Sequence, residues 1–260
     1  MEVTERYVAG IPRDQNAIDL FAGEWSSRFP ADHPDLTGGL AALYEDDRVL
    51  WAVQQLGGLK DRRVLELGPL EAGHSYMAEQ LGAASILAIE ANTRAYLKCL
   101  IAKEVFGLKR TRFALGDFSE FLHESPAGPK FDVCVASGVL YHMRDPIALL
   151  EGIARHAESV FLWTHYNDPA ILDPRPETSH RFGPMISVDR FGRTFELREF
   201  IYQEALKWGG FCGGNTASSY WMKRPDILDA LRLVGFPRIV TGIEQPDHPN
   251  GPAFCVAASR

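Results

Sequence analysis

The chain has 260 residues, of which 46% are apolar, 27 basic and 34 acidic, for a formal charge of −7. That length and apolar share support one large domain, or one domain with an elaborated cap. A mildly acidic balance leaves no sequence-wide electrostatic footprint for nucleic acid, so a small-molecule partner is favoured over RNA or DNA, with a local basic patch still open. The four cysteines, Cys99, Cys134, Cys212 and Cys255, form no C-x-x-C pair. Zinc-ribbon and dithiol-redox motifs are therefore excluded, no metal site is expected, and a reduced, cytoplasmic setting fits. No run reaches membrane-spanning length, and residues 1–6 carry no basic-then-apolar signal pattern, so no membrane partner is expected.

In chain order, residues 1–60 read as a helical leader or cap, punctuated by Pro12, Pro30, Pro34 and Gly38-Gly39. Asp46 and Asp47 open a helix that ends at Gly57-Gly58. Residues 61–260 read as an α/β domain. Strand 64–67 precedes helix 73–81, strand 86–89 precedes helix 92–106, and strand 112–115 follows. Strand 131–136 leads to a helix opened by Asp145-Pro146, an N-cap acid followed by proline at the first helical position. Strand 160–163 completes the run. Such alternation predicts a doubly wound, mostly parallel sheet of seven strands.

The alternation then breaks. Residues 165–220 hold Pro169, Pro174, Pro176 and Pro184, an amphipathic stretch over 195–208, and glycines at 209, 210, 213 and 214. This predicts an insertion after the fifth strand, lying over the C-terminal edge of the sheet and shaping a substrate pocket. Helix 225–234, strand 238–242 and a last strand 253–257 restore the pattern. Asp247 to Pro252 is turn chemistry that suits a hairpin, so the last strand is expected to be antiparallel.

Residues 64–75 decide the ligand class. A buried-type strand runs into Gly68, and Gly73 opens a helical pattern, so a helix N-terminus faces a nucleotide cofactor. A dinucleotide loop needs glycine at the middle of G-x-G-x-x-G, where Leu70 stands. The absence of Gly-Lys-Ser/Thr excludes a P-loop. Glu90 ends the second strand, placed to accept both ribose hydroxyls of an adenosine. Asp117 ends the third, placed to accept from the adenine amine, and Phe118 can wall the ring. Neither position requires a phosphate.

These residues resemble the class I S-adenosylmethionine (SAM)-dependent methyltransferases over about residues 45–165. Glu66-Leu67-Gly68 corresponds to the acidic-x-glycine first motif, Glu90 to the ribose acid, Gly116-Asp117-Phe118 to the adenine motif, and residues 131–142 to the fourth motif. The resemblance implies SAM as cofactor, with Glu66 and Gly68 near its methionine portion and Ser137 and Gly138 along its edge; Gly73, which opens the helix, and Tyr141, just past the fourth strand, are further cofactor-binding candidates. The loop departs from the family spacing, because Pro69, Leu70 and Glu71 replace the second glycine and displace the next. Residues 138–146 are also similar to a segment of the tRNA wobble-uridine carboxymethyltransferases, in which the tyrosine contacts a carboxylated cofactor. The last strand here lacks the assisting arginine, so plain SAM is expected.

Each candidate has a plainer alternative. Glu66 can serve the helix dipole, and Asp117 can simply form a turn. Tyr141 and His142 can pack on the following helix, or line the pocket with His142 as a base. His165, after the fifth strand, is the other candidate base, or else a structural hydrogen-bonding group. His123 and His180 read as surface residues, and no ligand spacing joins His142, His165 and His180 as a metal site. Arg175, Arg181, Arg190, Arg193 and Arg198 form either a solvated face or an anion clamp. Trp208, Phe211, Tyr220 and Trp221 read mostly as core. A scaffold that keeps the sheet without chemistry is the non-enzymatic alternative, and it would need none of Glu66, Glu90 and Asp117.

Overall fold

The computed structural model describes residues 7–126, 130–208, 210, 213, 214 and 216–260. Cys212, Phe211 and Gly209 lie outside these residues, as does the 1–6 segment tested for a signal.

Two short elements lead: α1 (Asp14–Ile18) and α2 (Asp47–Gln55). The α/β order follows as β1 (Arg63–Leu67), α3 (Gly73–Gln80), β2 (Ser85–Glu90), α4 (Thr93–Val105), β3 (Thr111–Leu115), α5 (Phe118–Glu124), β4 (Val133–Ser137), α6 (Pro146–His156) and β5 (Ser159–His165). The insertion carries α7 (Pro169–Leu172), α8 (Pro176–Ser179), β6 (Phe182–Arg190), β7 (Arg193–Ile201) and β8 (Ser218–Met222). The chain closes with α9 (Arg224–Leu233), β9 (Arg238–Gln245) and β10 (Ala253–Ser259).

The main sheet has seven strands in the order β3-β2-β1-β4-β5-β10-β9. The strands from β3 to β5 pair in parallel, and β10 runs antiparallel to both neighbours. The doubly wound sheet and its antiparallel last strand are as the sequence predicts. Chain order reverses between β1 and β4, and ligands of open α/β sheets bind in the crevice at such a switch point. Burial explains the strand sequences: Leu65, Cys134 and Leu162 are all 0% exposed, as expected for parallel strands covered on both faces. The thiols of Cys99, Cys134 and Cys255 are free and buried.

Two elements differ from the sequence reading. Helix α5 falls where no helix was expected, although Asp117 caps it by accepting from the Ser119 amide at 2.7 Å. The insertion is a separate antiparallel sheet, β6-β7-β8. The amphipathic stretch at 195–208 divides into the end of β7, where Phe195 and Leu197 are buried at strand period, and a 3-10 turn at Gln203–Lys207.

The leader is packed onto the domain. Ile18, Phe21, Trp25, Phe29 and Tyr44 form a buried cluster that Tyr76, Ile101, Val105 and Phe106 extend into α3 and α4. Gly73 marks a close approach, since a Cβ there would sit 2.6 Å from the Leu43 carbonyl oxygen.

Candidate functional site

A cavity of about 1520 Å³ opens at the C-terminal ends of β1 to β4. It gathers Gly68, Gly73, Glu90, Asp117, Phe118, Ser137, Tyr141 and His142 into one lining. With Gly138, which also lines it, nine of the eleven cofactor and catalytic residues expected from the sequence thus meet in one place. Glu66 and His165 do not line it.

Glu66 is buried beneath the loop and accepts a hydrogen bond from the Ser75 hydroxyl. Burial raises its pKa, against the pull of His74 and that hydroxyl. Its observed contact holds the first turn of α3. His165 is 3% exposed, and its Nδ1 donates to the carbonyls of Gly251 at 2.8 Å and Pro252 at 3.4 Å. Its ring stacks on Trp221 with centroids 5.1 Å apart. Burial first, then His248, lowers its pKa to about 4. These contacts are of the kind the structural alternative for His165 calls for, with the bond running to the β9–β10 turn.

Glu90 is the best-defined polar group on the cavity wall. Its Oε1 accepts from the Asn92 amide at 2.9 Å and its Oε2 from the Leu70 amide at 3.1 Å. Burial raises its pKa, and the backbone amides of Asn92, Leu70 and Ala91 oppose that rise. Two backbone donors occupy about half of a carboxylate's accepting capacity and leave the rest for ligand hydroxyls. Asp117 both caps α5 and lines the cavity, so its two readings are compatible: one oxygen takes the Ser119 amide and the other remains for a donor. Gly68 has φ +64, and a Cβ there would stand 3.0 Å from Val139 Cγ1. At that position only glycine combines the left-handed backbone with the close approach.

The loop after Gly68 keeps a glycine-type path without the glycines. Leu70 has φ +54 and Ala72 φ +67, both left-handed, a conformation that costs a non-glycine residue about 1 kcal/mol or more. The sequence departure at 69–71 is thus absorbed by side-chain residues held in a conformation they disfavour.

The cavity lining also holds a group with no motif to announce it. Arg48 lines the cavity, pairs with Asp46 through both carboxylate oxygens at 2.6–3.1 Å, and lies 4.4 Å over the Trp163 ring. His74 reaches the same Asp46 at 2.9 Å. Burial works against the Asp46 charge, yet its bonds from His74 and Arg48 hold the carboxyl well below the usual carboxylate range. The Asp46-Arg48 spacing was legible only as a helix start.

His142 lines the cavity from a 3-10 turn at Leu140–His142. Its Nδ1 lies 2.6 Å from the Tyr202 hydroxyl, which is 3.0 Å from Ser219 Oγ. Tyr202 and Ser219 belong to the insertion, so this chain of polar groups joins the insertion to the cavity wall. Burial first, then His165, lowers the His142 pKa to about 3. The ring is neutral at physiological pH. Burial also raises the Tyr141 pKa well above that of an ordinary phenol.

The insertion arginines are engaged elsewhere. Arg190 meets Asp145, Arg193 meets Asp226 and Asp229, Arg198 meets Asp173, and Arg175 holds the carbonyls of Pro246 and His248. Arg181 lies over the Phe200 ring. None of the five lines the cavity. Trp221 is core, whereas Trp208 is exposed and lines the cavity. Among the described residues no group of three His, Cys, Asp or Glu is placed to hold a metal ion, and no helix is long and apolar enough to cross a membrane.

Neither a protein-family model nor a curated protein sequence matches the chain. Solved structures do. The N-terminal domain of EvdMO1 with S-adenosylhomocysteine (SAH) bound superposes with a TM-score of 0.68 at 23% identity, over 95% of this chain and 94% of that one. A SAM-dependent methyltransferase from Mesorhizobium loti matches at TM-score 0.57 and 15% identity, over 84% of this chain and all of that one. The fold is that of the class I methyltransferases. Magnesium protoporphyrin IX methyltransferase from Synechocystis PCC 6803, with SAH bound, matches at TM-score 0.56 and 19% identity, over 83% and 81% of the two chains. Against whole EvdMO1 the match spans 95% of this chain but only 46% of that protein.

Proposed function

We propose that the chain is a SAM-dependent methyltransferase that methylates a hydroxyl or amine of a small molecule. The observation that carries this reading is Glu90: a buried carboxylate at the end of β2, fixed by two backbone amides, with accepting capacity left toward the cavity. Asp117 and Phe118 extend the same wall at the end of β3, as an adenosine requires. Solved neighbours with SAH bound support the choice of nucleoside.

The residues present fit the cofactor. Glu90 would hold the ribose, Asp117 and Phe118 the adenine, and the Gly68–Gly73 loop, Ser137 and Gly138 the methionine side. Arg48 offers the cation that an amino-acid carboxylate calls for. When bound, SAM supplies an electrophilic methyl group on a sulfonium. The protein's work is then to hold the acceptor in line with that methyl and to exclude water. His142 is the proton acceptor of this proposal. Burial keeps its ring neutral, and a nucleophile oxygen becomes far more acidic as its new bond to carbon forms, so even a weakly basic imidazole suffices. His165, behind the wall, is given a structural role.

Calorimetric titration with SAH tests the reading, with NAD titrated in parallel. Binding of SAH and not NAD is expected, followed by methyl transfer to a hydroxylated acceptor. EvdMO1's N-terminal domain was crystallised in the presence of SAH and D-fucose, which makes monosaccharides the first acceptors to assay. Absence of heat and of a thermal shift with SAH would favour a non-catalytic scaffold. Acceptor binding that weakens steeply with salt would favour tRNA.

A further inference from the structure

Among residues 68–72 only Gly68 is a glycine, yet residues 68, 70 and 72 all have positive φ. A glycine loop adopts such a path unaided. A loop with leucine and alanine there needs to be held, and the residue between them shows what holds it. Glu71 is 0% exposed. Its carboxylate accepts from the Ser26 amide at 3.0 and 3.1 Å, from the Ser27 amide at 2.8 Å and from Lys98 Nζ at 2.9 Å. Its carbonyl accepts from the Tyr44 hydroxyl at 2.5 Å. Lys98 also donates to the Glu24 carbonyl at 2.5 Å, and Glu24 pairs with Arg94. Leader residues 24–27 and 44 and helix α4 therefore converge on one loop residue. Its neighbour Leu70 donates its amide to Glu90, the carboxylate assigned to the ribose.

We propose that Glu71 is a positioning residue for the donor nucleoside, tying the leader to the cofactor loop so that leader docking and nucleoside binding are one linked equilibrium. This rests on the reading of the cavity as a SAM site. The leader does by hydrogen bonding what the absent glycines do by conformational freedom. Linkage is reciprocal: whatever loosens the leader weakens the nucleoside, and the nucleoside must tighten the leader by the same factor. A residue with only a structural role would lower stability without producing that second effect.

The test combines SAH calorimetry with hydrogen exchange of the peptide containing Ser26 and Ser27, using the full chain. In the wild type, saturating SAH is expected to slow exchange of those amides. Glu71→Gln is expected to weaken SAH by about tenfold or more. In a Leu70→Gly/Ala72→Gly background the same change is expected to cost less than about threefold, because the loop no longer depends on being held. If Glu71→Gln fails to fold, Tyr44→Phe removes a single bond to the same residue and is expected to weaken SAH by about threefold. SAH binding that is indifferent to these substitutions, or that leaves leader exchange unchanged, would overturn the linkage alone. Failure of the wild type to bind SAH would overturn the methyltransferase reading and this proposal with it.

Discussion

The two sides of the cavity are built by different means. On the donor side, Glu90, Asp117 and Gly68 sit at the ends of neighbouring strands and are fixed by backbone hydrogen bonds: Glu90 by the Leu70 and Asn92 amides, Asp117 by the Ser119 amide, and the Gly68 amide by the Ile89 carbonyl at 3.0 Å. On the proposed acceptor side, His142 is held through the side chains of Tyr202, just after β7, and Ser219 of β8, in the inserted antiparallel sheet. A site fixed by backbone tolerates little change of sequence at its carboxylates. A site fixed by side chains of an inserted sheet can change its ligand while β1 to β4 stay as they are.

Two substitutions separate the halves, and they carry the largest expected effects. His142→Ala should lower kcat by at least about 100-fold, the usual scale for loss of a positioned proton acceptor, while SAH binds within about twofold of wild type. Glu90→Ala should do the opposite. Losing a charged acceptor to two ribose hydroxyls is worth about 2–4 kcal/mol, so SAH affinity should fall about 30-fold or more by calorimetry. If His142→Ala weakened SAH as much as Glu90→Ala, the division into a donor and an acceptor side would fail.

The same division explains what the sequence revealed. Strand, glycine and acid lie within a few residues of one another at Glu66–Gly68, Glu90 and Gly116–Phe118, so the candidate donor side could be read from local pattern, and the alternation of strands and helices with the turn at 247–252 gave the doubly wound sheet and its antiparallel last strand. Helix α5 left a signal that went unused: Asp117 at the cap with Glu120 three residues on. The insertion left none of that kind. Its β7 pairs with β6 and β8 through contacts set by tertiary packing, and strand pairing between such segments has no short motif. Arg48 and Tyr202 come to the site from the leader and the insertion and are far from Glu90 in sequence, so folding brings them there and no local pattern announces them.

Acid should loosen the acceptor side first. His165 stacks on Trp221 of β8 and bonds to the β9–β10 turn, so it joins the insertion to the main sheet. Its pKa, near 4, lies below the ordinary 6.5 because burial and then His248 disfavour the cation. The sign follows. Above pH 6.5 the ring is neutral in both folded and unfolded chains, and its contribution is intact. As pH falls from 6.5 toward 4 the unfolded chain takes up the proton first, and stability is lost. Glu66 and Glu90, raised by burial, act in the opposite sense, so the useful quantity is the difference in unfolding free energy between wild type and His165→Gln. That difference should shift against the wild type between pH 7 and pH 5, by no more than about 1.4 kcal/mol per pH unit. A difference that does not change with pH would remove the role given to His165.

The smallest effect is expected at the outer face of the insertion. Lys223, just before α9, pairs with Glu196 of β7, and both side chains are more than a third exposed. Water screens such a pair and side-chain entropy opposes it, so its net worth is below about 1 kcal/mol. Lys223→Ala should therefore lower the unfolding free energy by less than that, and should leave both SAH affinity and kcat at wild-type values. The contrast with His142 is the point of the measurement, since both residues connect to the inserted sheet. If Lys223→Ala reduced kcat appreciably, the insertion would be transmitting strain from its surface to the cavity, and the acceptor side would extend well beyond the His142–Tyr202–Ser219 chain.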